Sequence, residues 1–220
     1  MTGYQLGVDE AGKGPVLGPM IAAAVRADAA DLPAGVADSK RLTPTKRESL
    51  ADILRSTDGV DIGLGVVTVD EIDDPETDMN GLTVAAQVRA VAAVAEAGDE
   101  AIVDAGDVSE TRFGQRVTEG VASEGVEVTV TAEHGADDNH RLAAAASVVA
   151  KVERDRRMTA VGSDYDCGPV GSGYPSDPTT RAFLAAYVDR HGDLPACARQ
   201  SWSTCEDVLA AAEQASLGEF

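Results

Sequence analysis

Basic residues are scarce in this chain. Lysine and arginine together number 18 against 38 aspartates and glutamates, leaving a formal charge of −20. The lysines are Lys13, Lys40, Lys46 and Lys151 alone. A protein that grips nucleic acid ordinarily carries a basic footprint, so the charge balance by itself speaks against such a partner. Cysteine is rarer still. Cys167, Cys197 and Cys205 contain no metal-ligand pairing such as C-x-x-C, and an odd count argues against a disulfide framework. A reducing cytoplasm fits that usage. No run of about 18 apolar residues occurs, so no membrane span is expected. The N-terminus lacks the basic-then-apolar order of a secretory signal.

What is present changes the meaning of the charge. Apolar residues make up 44% of the chain, enough for a substantial core. An acidic, lysine-poor, alanine- and valine-rich composition resembles that of proteins from salt-adapted organisms. There the Debye length falls to roughly 3 Å at 1 M salt, and self-repulsion is screened. On this reading the net charge does not exclude a nucleic-acid substrate.

Residues 3–9 and 19–27 read as two strands joined by a Gly-Pro turn. Thr43-Pro44 reads as an N-cap with proline at the first helical position, opening a helix to Ser56. Residues 60–69 carry β-branched residues and two glycines and read as a third strand, followed by an acidic loop over 73–78. An alanine- and valine-rich helix is expected from Asn80 or Thr83 to Gly98. Residues 100–104 and 126–131 read as strands around a helix over 109–123. A helix is expected over 138–158, then a Gly/Pro-rich loop over 162–178 and helices over 179–191 and 203–215. Strands with intervening helices predict an α/β fold, a mixed central sheet covered by helices.

The chemistry gathers near the start. Leu6 and Val8 lead into Asp9-Glu10-Ala11-Gly12-Lys13-Gly14-Pro15. On a strand, Asp9 and Glu10 point to opposite faces because the side-chain period is two. Two carboxylates beside bare glycine backbone suit a divalent cation and a polar ligand; an edge strand running into a polar turn accounts for them equally well. Asp104 ends a short apolar strand, where ligands of open α/β sheets gather, or it is a turn-former before Ala105-Gly106. Asp137 and Asp138 are equal candidates for the N-cap of the helix that follows. His134 and His140 lack H-x-x-x-H spacing or a cysteine partner, which favours ordinary polar roles.

The opening stretch resembles the D-E-A-G-R-G-P motif of ribonuclease HII, the type 2 ribonuclease H family, with Lys13 in place of the usual arginine. Four later stretches resemble the same family. Ala136-Asp137 stands before Ala144-Ala145-Ala146-Ser147-Val148-Val149-Ala150-Lys151-Val152-Glu153-Arg154-Asp155 as its A-D precedes S-A-A-S-I-x-A-K-V-x-R-D. Asp38-Ser39-Lys40-Arg41-Leu42 is similar to D-S-K-x-L. Gly171 to Pro178 is similar to the archaeal and eukaryotic form of G-S-G-Y-P-x-D-P. Arg199, Ser201 and Trp202 match R-x-S-W. The resemblance runs from about residue 3 to 205.

It implies a ribonuclease H-like, five-stranded mixed sheet flanked by helices, with a catalytic domain over 1–165 and a helical, substrate-binding extension over 166–220. It selects Asp137 over Asp138 and makes Asp9, Glu10, Asp104 and Asp137 both catalytic residues and ligands of Mg²⁺ or Mn²⁺. Gly12, Lys13, Gly14, Lys40 and Tyr174 become substrate contacts, with Tyr174 stacking on a sugar at the RNA–DNA junction. The implied substrates are RNA–DNA hybrids and duplex DNA containing single ribonucleotides, cut by a cytoplasmic monomer. The rivals are a scaffold that kept the fold without catalysis, and a metal phosphoesterase of small molecules.

Overall fold

The computed structural model describes residues 5–36 and 42–217. Five strands form one mixed sheet: β1 (Gln5–Ala11), β2 (Met20–Ala27), β3 (Asp61–Val67), β4 (Glu100–Asp104) and β5 (Thr129–Glu133), in the order β3-β2-β1-β4-β5. β2 runs antiparallel to both β1 and β3, whereas β4 runs parallel to β1 and to β5. The described residues also form eight helices: α1 (Pro44–Ser56), α2 (Val69–Asp73), α3 (Met79–Ala92), α4 (Glu110–Ser123), α5 (Ala136–Asn139), α6 (Arg141–Ser163), α7 (Pro178–His191) and α8 (Ser203–Leu217). None is long and apolar enough to cross a membrane.

The chain gathers into two compact units. Among the described residues the first holds the sheet and comprises 5–11, 20–36, 42–67 and 79–153; the second comprises 12–19, 68–78 and 154–217. In the first, alternate residues of β1 face opposite layers. A core on one face joins Ala23 and Val25 of β2, Leu50 and Leu54 of α1, and Val148 and Val149 of α6. Gly7 lies on this face, where an added Cβ would stand 2.1 Å from the backbone of Leu142 and Ala143. On the other face Gly63 and Gly65 of β3 let α3 lie directly on the strand; a Cβ at Gly65 would stand 1.9 Å from the Ala86 carbonyl oxygen. In the second unit Val16, Leu17, Met158, Phe183, Leu184 and Val188 form a separate apolar cluster.

Several boundaries differ from the sequence expectations. α2 occupies a stretch read as the end of a strand and the start of a loop. Thr68 and Glu71 cap it reciprocally, the Thr68 hydroxyl accepting from the Glu71 N–H and the Glu71 carboxylate from the Thr68 N–H. α3 stops at Ala92 rather than Gly98, because the next peptides close into turns, with Val94 and Ala95 N–H donating to the Val91 carbonyl. β5 starts at Thr129, three residues late, where its ladder with Glu100 begins. The helix expected over 138–158 is two helices, broken at His140, whose backbone is extended.

One buried ion pair braces the sheet. Arg26 Nε donates to Asp99 Oδ2 at 2.8 Å, both residues under one-tenth exposed. The remainder of the −20 charge repels itself through solvent and is open to screening. The melting temperature is therefore expected to rise from low to molar KCl. A thermal scan that is flat or falls across that range contradicts the salt-adapted reading.

Candidate active site

The end of β1 places the paired carboxylates as the strand period requires. Asp9 shares the Gly7 face and meets α6, where the Ser147 hydroxyl donates to its carboxylate. Lys151, one helical turn on, donates from Nζ to Ser147 Oγ at 2.7 Å. The Glu10 N–H closes on Asp9 Oδ1 at 2.8 Å. Glu10 points the opposite way and meets α3. There the fully buried Gln87 donates from Nε2 to Glu10 Oε2 at 2.7 Å and to the Asp104 carbonyl at 2.9 Å. One amide thus ties Glu10 to the end of β4.

Asp104 is the last residue of β4, and its Oδ1 accepts from the Ala136 N–H at 2.8 Å. That bond fixes the start of α5, which Gly135 opens in a left-handed conformation at φ 66°. Asp137 sits in the first turn of α5 and so is not the N-cap. The arrangement is electrostatically crowded. Asp9 is 6% exposed, and its carboxyl is pushed up from 3.8 to about 7. Burial is the largest cause, the Ser147 hydrogen bond opposes it, and the charges of Asp104 and Asp137 raise it further. Both histidines take polar roles: His140 Nε2 lies 2.8 Å from Glu133 Oε2, and His134 Nδ1 lies 3.3 Å from the Ala105 carbonyl.

Within the second unit, residues 12–14 are held by long side chains. Arg199, fully buried, donates to the carbonyls of Gly12, Lys13 and Gly18. Gly12 has φ +96°, and a Cβ there would stand 2.7 Å from Arg154 Cδ, so only glycine fits. Arg154 donates to the Leu17 and Ser172 carbonyls and lies with its guanidinium carbon 5.4 Å from the Tyr174 ring centre. Tyr174 is 42% exposed, on a loop that Asp177 braces by accepting from the Ser172 N–H and hydroxyl and the Thr179 N–H. Those bonds pull the Asp177 carboxyl down to about 2.

The four carboxylates predicted as ligands therefore share the first unit, at the ends of β1 and β4 and in α5. Gly12, Lys13, Gly14 and Tyr174 share the second, and Lys40 lies outside the described residues. Sequence reasoning passed over Gln87, Lys151 and Arg154 as functional residues. Gln87 carried a weak signal, as a polar residue that shares an alanine- and valine-rich helical run with Thr83 and Arg89. Ser147 and Lys151 carried another, four residues apart and so on one helix face.

Comparison with known proteins identifies the family and the fold. The family model for ribonuclease HII matches residues 6–205. A ribonuclease HII of Haloarcula marismortui is 58% identical over 98% of this chain and 100% of its own length. The crystal structure of ribonuclease H2 from Pyrococcus horikoshii matches with a TM-score of 0.85 and 36% identity, over 96% of this chain and 99% of that one. Ribonuclease HII of Archaeoglobus fulgidus, solved in complex with PCNA, matches at 0.79 with 33% identity, over 93% and 96%. The chain belongs to the ribonuclease HII family, endoribonucleases of the RNA in RNA–DNA hybrids.

Proposed function

We propose that this chain cleaves both RNA–DNA hybrids and single ribonucleotides embedded in duplex DNA, as a divalent-metal-dependent endonuclease that leaves 3′-hydroxyl and 5′-phosphate ends. The observation that carries the reading is geometric: Asp9 and Asp104 stand at the ends of adjacent parallel strands, with Asp9 buried and crowded by the charges of Asp104 and Asp137. A carboxylate so placed is a poor anion until a cation is near, and a bound dication inverts the local electrostatics. Asp9, Glu10, Asp104 and Asp137 would hold it. Their donors are all carboxylate oxygens, which suit Mg²⁺ or Mn²⁺ rather than a soft metal. Among the described residues no three acidic, histidine or cysteine side chains already close around one point, so the fit rests on donor chemistry and on the mutual repulsion. Two such ions, once bound, would supply an activated water and neutralise the leaving oxygen of an in-line phosphodiester displacement, a two-metal-ion catalysis.

The protein's own residues prepare that site. Ser147, backed by Lys151, donates to Asp9 and favours its ionised form. Gln87 fixes Glu10, and the Ala136 N–H fixes Asp104, so neither carboxylate has to search rotamers. The backbone of Gly12, Lys13 and Gly14 recognises the ribose 2′-hydroxyl, since phosphates alone cannot separate RNA from DNA. Residues 166–220 act as the substrate-binding extension of a monomeric, cytoplasmic enzyme, and Lys40 reaches a substrate phosphate. The half-exposed Tyr174, steadied by Arg154, stacks on the sugar next to the ribonucleotide.

The test is a labelled DNA duplex with one ribonucleotide, beside a continuous hybrid, each incubated with Mg²⁺ or Mn²⁺ over a range of KCl. No cut with either ion at any salt concentration would overturn the proposal in favour of a scaffold. On the same substrates Tyr174→Ala is expected to slow cleavage at the lone ribonucleotide by about tenfold, as loss of one stacking contact implies. The hybrid, which offers neighbouring sites, should lose less. Equal factors on both would show that Tyr174 does not read the junction.

A further inference from the structure

Three glycines seat α3 against its neighbours around one side chain. A Cβ at Gly65 of β3 would collide with the Ala86 carbonyl, one at Gly120 of α4 would stand 2.5 Å from Val88 Cγ2, and one at Gly106, just past β4, 2.7 Å from Thr83 Cγ2. Ala86 and Val88 flank Gln87, and Thr83 lies one turn before it. The backbone that carries Gln87 is therefore packed tightly on three sides.

Gln87 is fully buried, and both hydrogens of its amide are spent. Nε2 donates to Glu10 Oε2 at 2.7 Å and to the Asp104 carbonyl at 2.9 Å. The opposite amide orientation would set Oε1 against a carboxylate and a carbonyl, acceptor against acceptor. In the orientation adopted, Oε1 is buried without a hydrogen-bond partner among the described residues. An unpaired buried acceptor costs at least as much as an ordinary hydrogen bond returns, and an apolar side chain of the same size would avoid that cost. Stability alone therefore does not account for an amide here, whereas its hold on Glu10 does.

A carboxylate can meet a cation through one oxygen or through both. Ca²⁺ takes about six to eight oxygen ligands and often both from one carboxylate, whereas Mg²⁺ demands near-ideal octahedral geometry with fewer carboxylates. Presenting both Glu10 oxygens to one ion requires the carboxylate plane to turn, and turning lifts Oε2 from an amide that cannot follow.

We infer that Gln87 is a positioning residue for ion choice: by pinning Glu10 Oε2 it holds the carboxylate to one-oxygen coordination and so disfavours Ca²⁺ against small octahedral ions. The inference rests on the reading that Glu10 holds the ion, and it adds which ion the neighbour of Glu10 admits.

Gln87→Met and Gln87→Leu delete the donor and the orphan oxygen together. They do so with two different shapes, so a change common to both is not a packing effect. The probe is Mn²⁺, whose free form is counted by its electron paramagnetic resonance signal, titrated into the whole chain in molar KCl without substrate and then displaced with Ca²⁺. The ratio of the two dissociation constants, Ca²⁺ over Mn²⁺, reports selectivity. A melting curve in chelator reports folding, and Glu10→Gln reports whether Glu10 is a ligand. Both Gln87 variants are expected to lower the ratio about tenfold, the low end for one hydrogen bond to a charged group. They should melt close to the parent, because the orphan removed offsets the bonds removed. A role in folding alone would lower the melting curve or weaken both ions by one factor and leave the ratio where it was. That result overturns the inference while Glu10 remains a ligand. If Glu10→Gln binds Mn²⁺ as tightly as the parent, the reading of Glu10 fails and the inference fails with it.

Discussion

Asp9→Asn is expected to lower turnover by at least about a thousandfold while making the metal-free protein harder to melt. The two effects share a cause. In the folded chain the Asp9 carboxyl is held at about 7, against 3.8 ordinarily, by burial first and by Asp104 and Asp137 as well. The folded state therefore binds this proton more tightly than the unfolded state between pH 3.8 and about 7. Stability falls as the pH rises through that window, and above it the full penalty stands, up to about 4 kcal/mol at 1.36 kcal/mol per unit. Asparagine carries no charge and escapes the penalty. In chelator at pH 8 the variant should melt higher by up to about 8–16 °C, from about 2–4 °C per kcal/mol at this size. The difference from the parent should close as the pH falls toward 4. Asp104→Asn should likewise abolish turnover by removing a charged ligand, while its amide oxygen can still accept from the Ala136 N–H and keep α5 in place. Full activity of either variant in Mg²⁺ would remove these carboxylates from the ion site. A melting difference that does not vary with pH would show that Asp9 is not the group that titrates.

Gly7→Ala should be among the most damaging single methyl additions in the chain, although it lies outside the acidic cluster. The new Cβ would stand 2.1 Å from Ala143 N and Leu142 C, both backbone atoms at the start of α6. No rotamer change relieves a clash with backbone. The helix must withdraw by roughly an ångström, losing its close packing on Val25 and Ala23, and overpacking of this kind costs typically 1–3 kcal/mol and occasionally more. We expect about 3 kcal/mol or above, read by denaturant unfolding. Activity should fall further than the folded fraction does, because the withdrawing helix carries Ser147 away from Asp9. A variant as stable as its parent would show that α6 does not rest on β1.

The sheet was legible because its strands are rich in branched and small apolar residues, and because Pro44 and Gly-Pro turns punctuate them. The four carboxylates were singled out only through the family resemblance, across the stretch from Asp9 to Asp137; each alone read equally well as a turn or cap residue. Other features answer to tertiary forces that no local pattern records. Val126 and Val128 have strand character, yet the ladder begins at Thr129, because the Gly98 N–H takes the Glu127 carbonyl and the Thr129 N–H takes that of Asp99. The break at His140 is enforced from outside the helix, by Glu133 on its ring and Asp104 on the N–H of Ala136. α2 did announce itself, in Thr68-Val69-Asp70-Glu71, but its valine sat at the end of a β-branched run and read as strand. Gln87, one of several polar residues in α3, is fully buried.

The parallel pairing of β1 with β4 acts as a ruler for the chemistry. The last rung of that ladder sets Val8 beside Val103, so Asp9 and Asp104 follow together, one residue past it, on adjacent strands and toward the same face. Neighbouring strands stand about 4.8 Å apart wherever a ladder forms, and no substitution of a side chain changes that interval. The gauge between the two carboxylate stems is thus owned by main-chain hydrogen bonds, leaving only side-chain torsions to adjust for a larger or smaller ion. The same ruler is unforgiving in the other direction. A slip of one residue would send Asp104 to the Gln87 side of the sheet, so strand register and the pairing of the two carboxylates are inherited as a single trait.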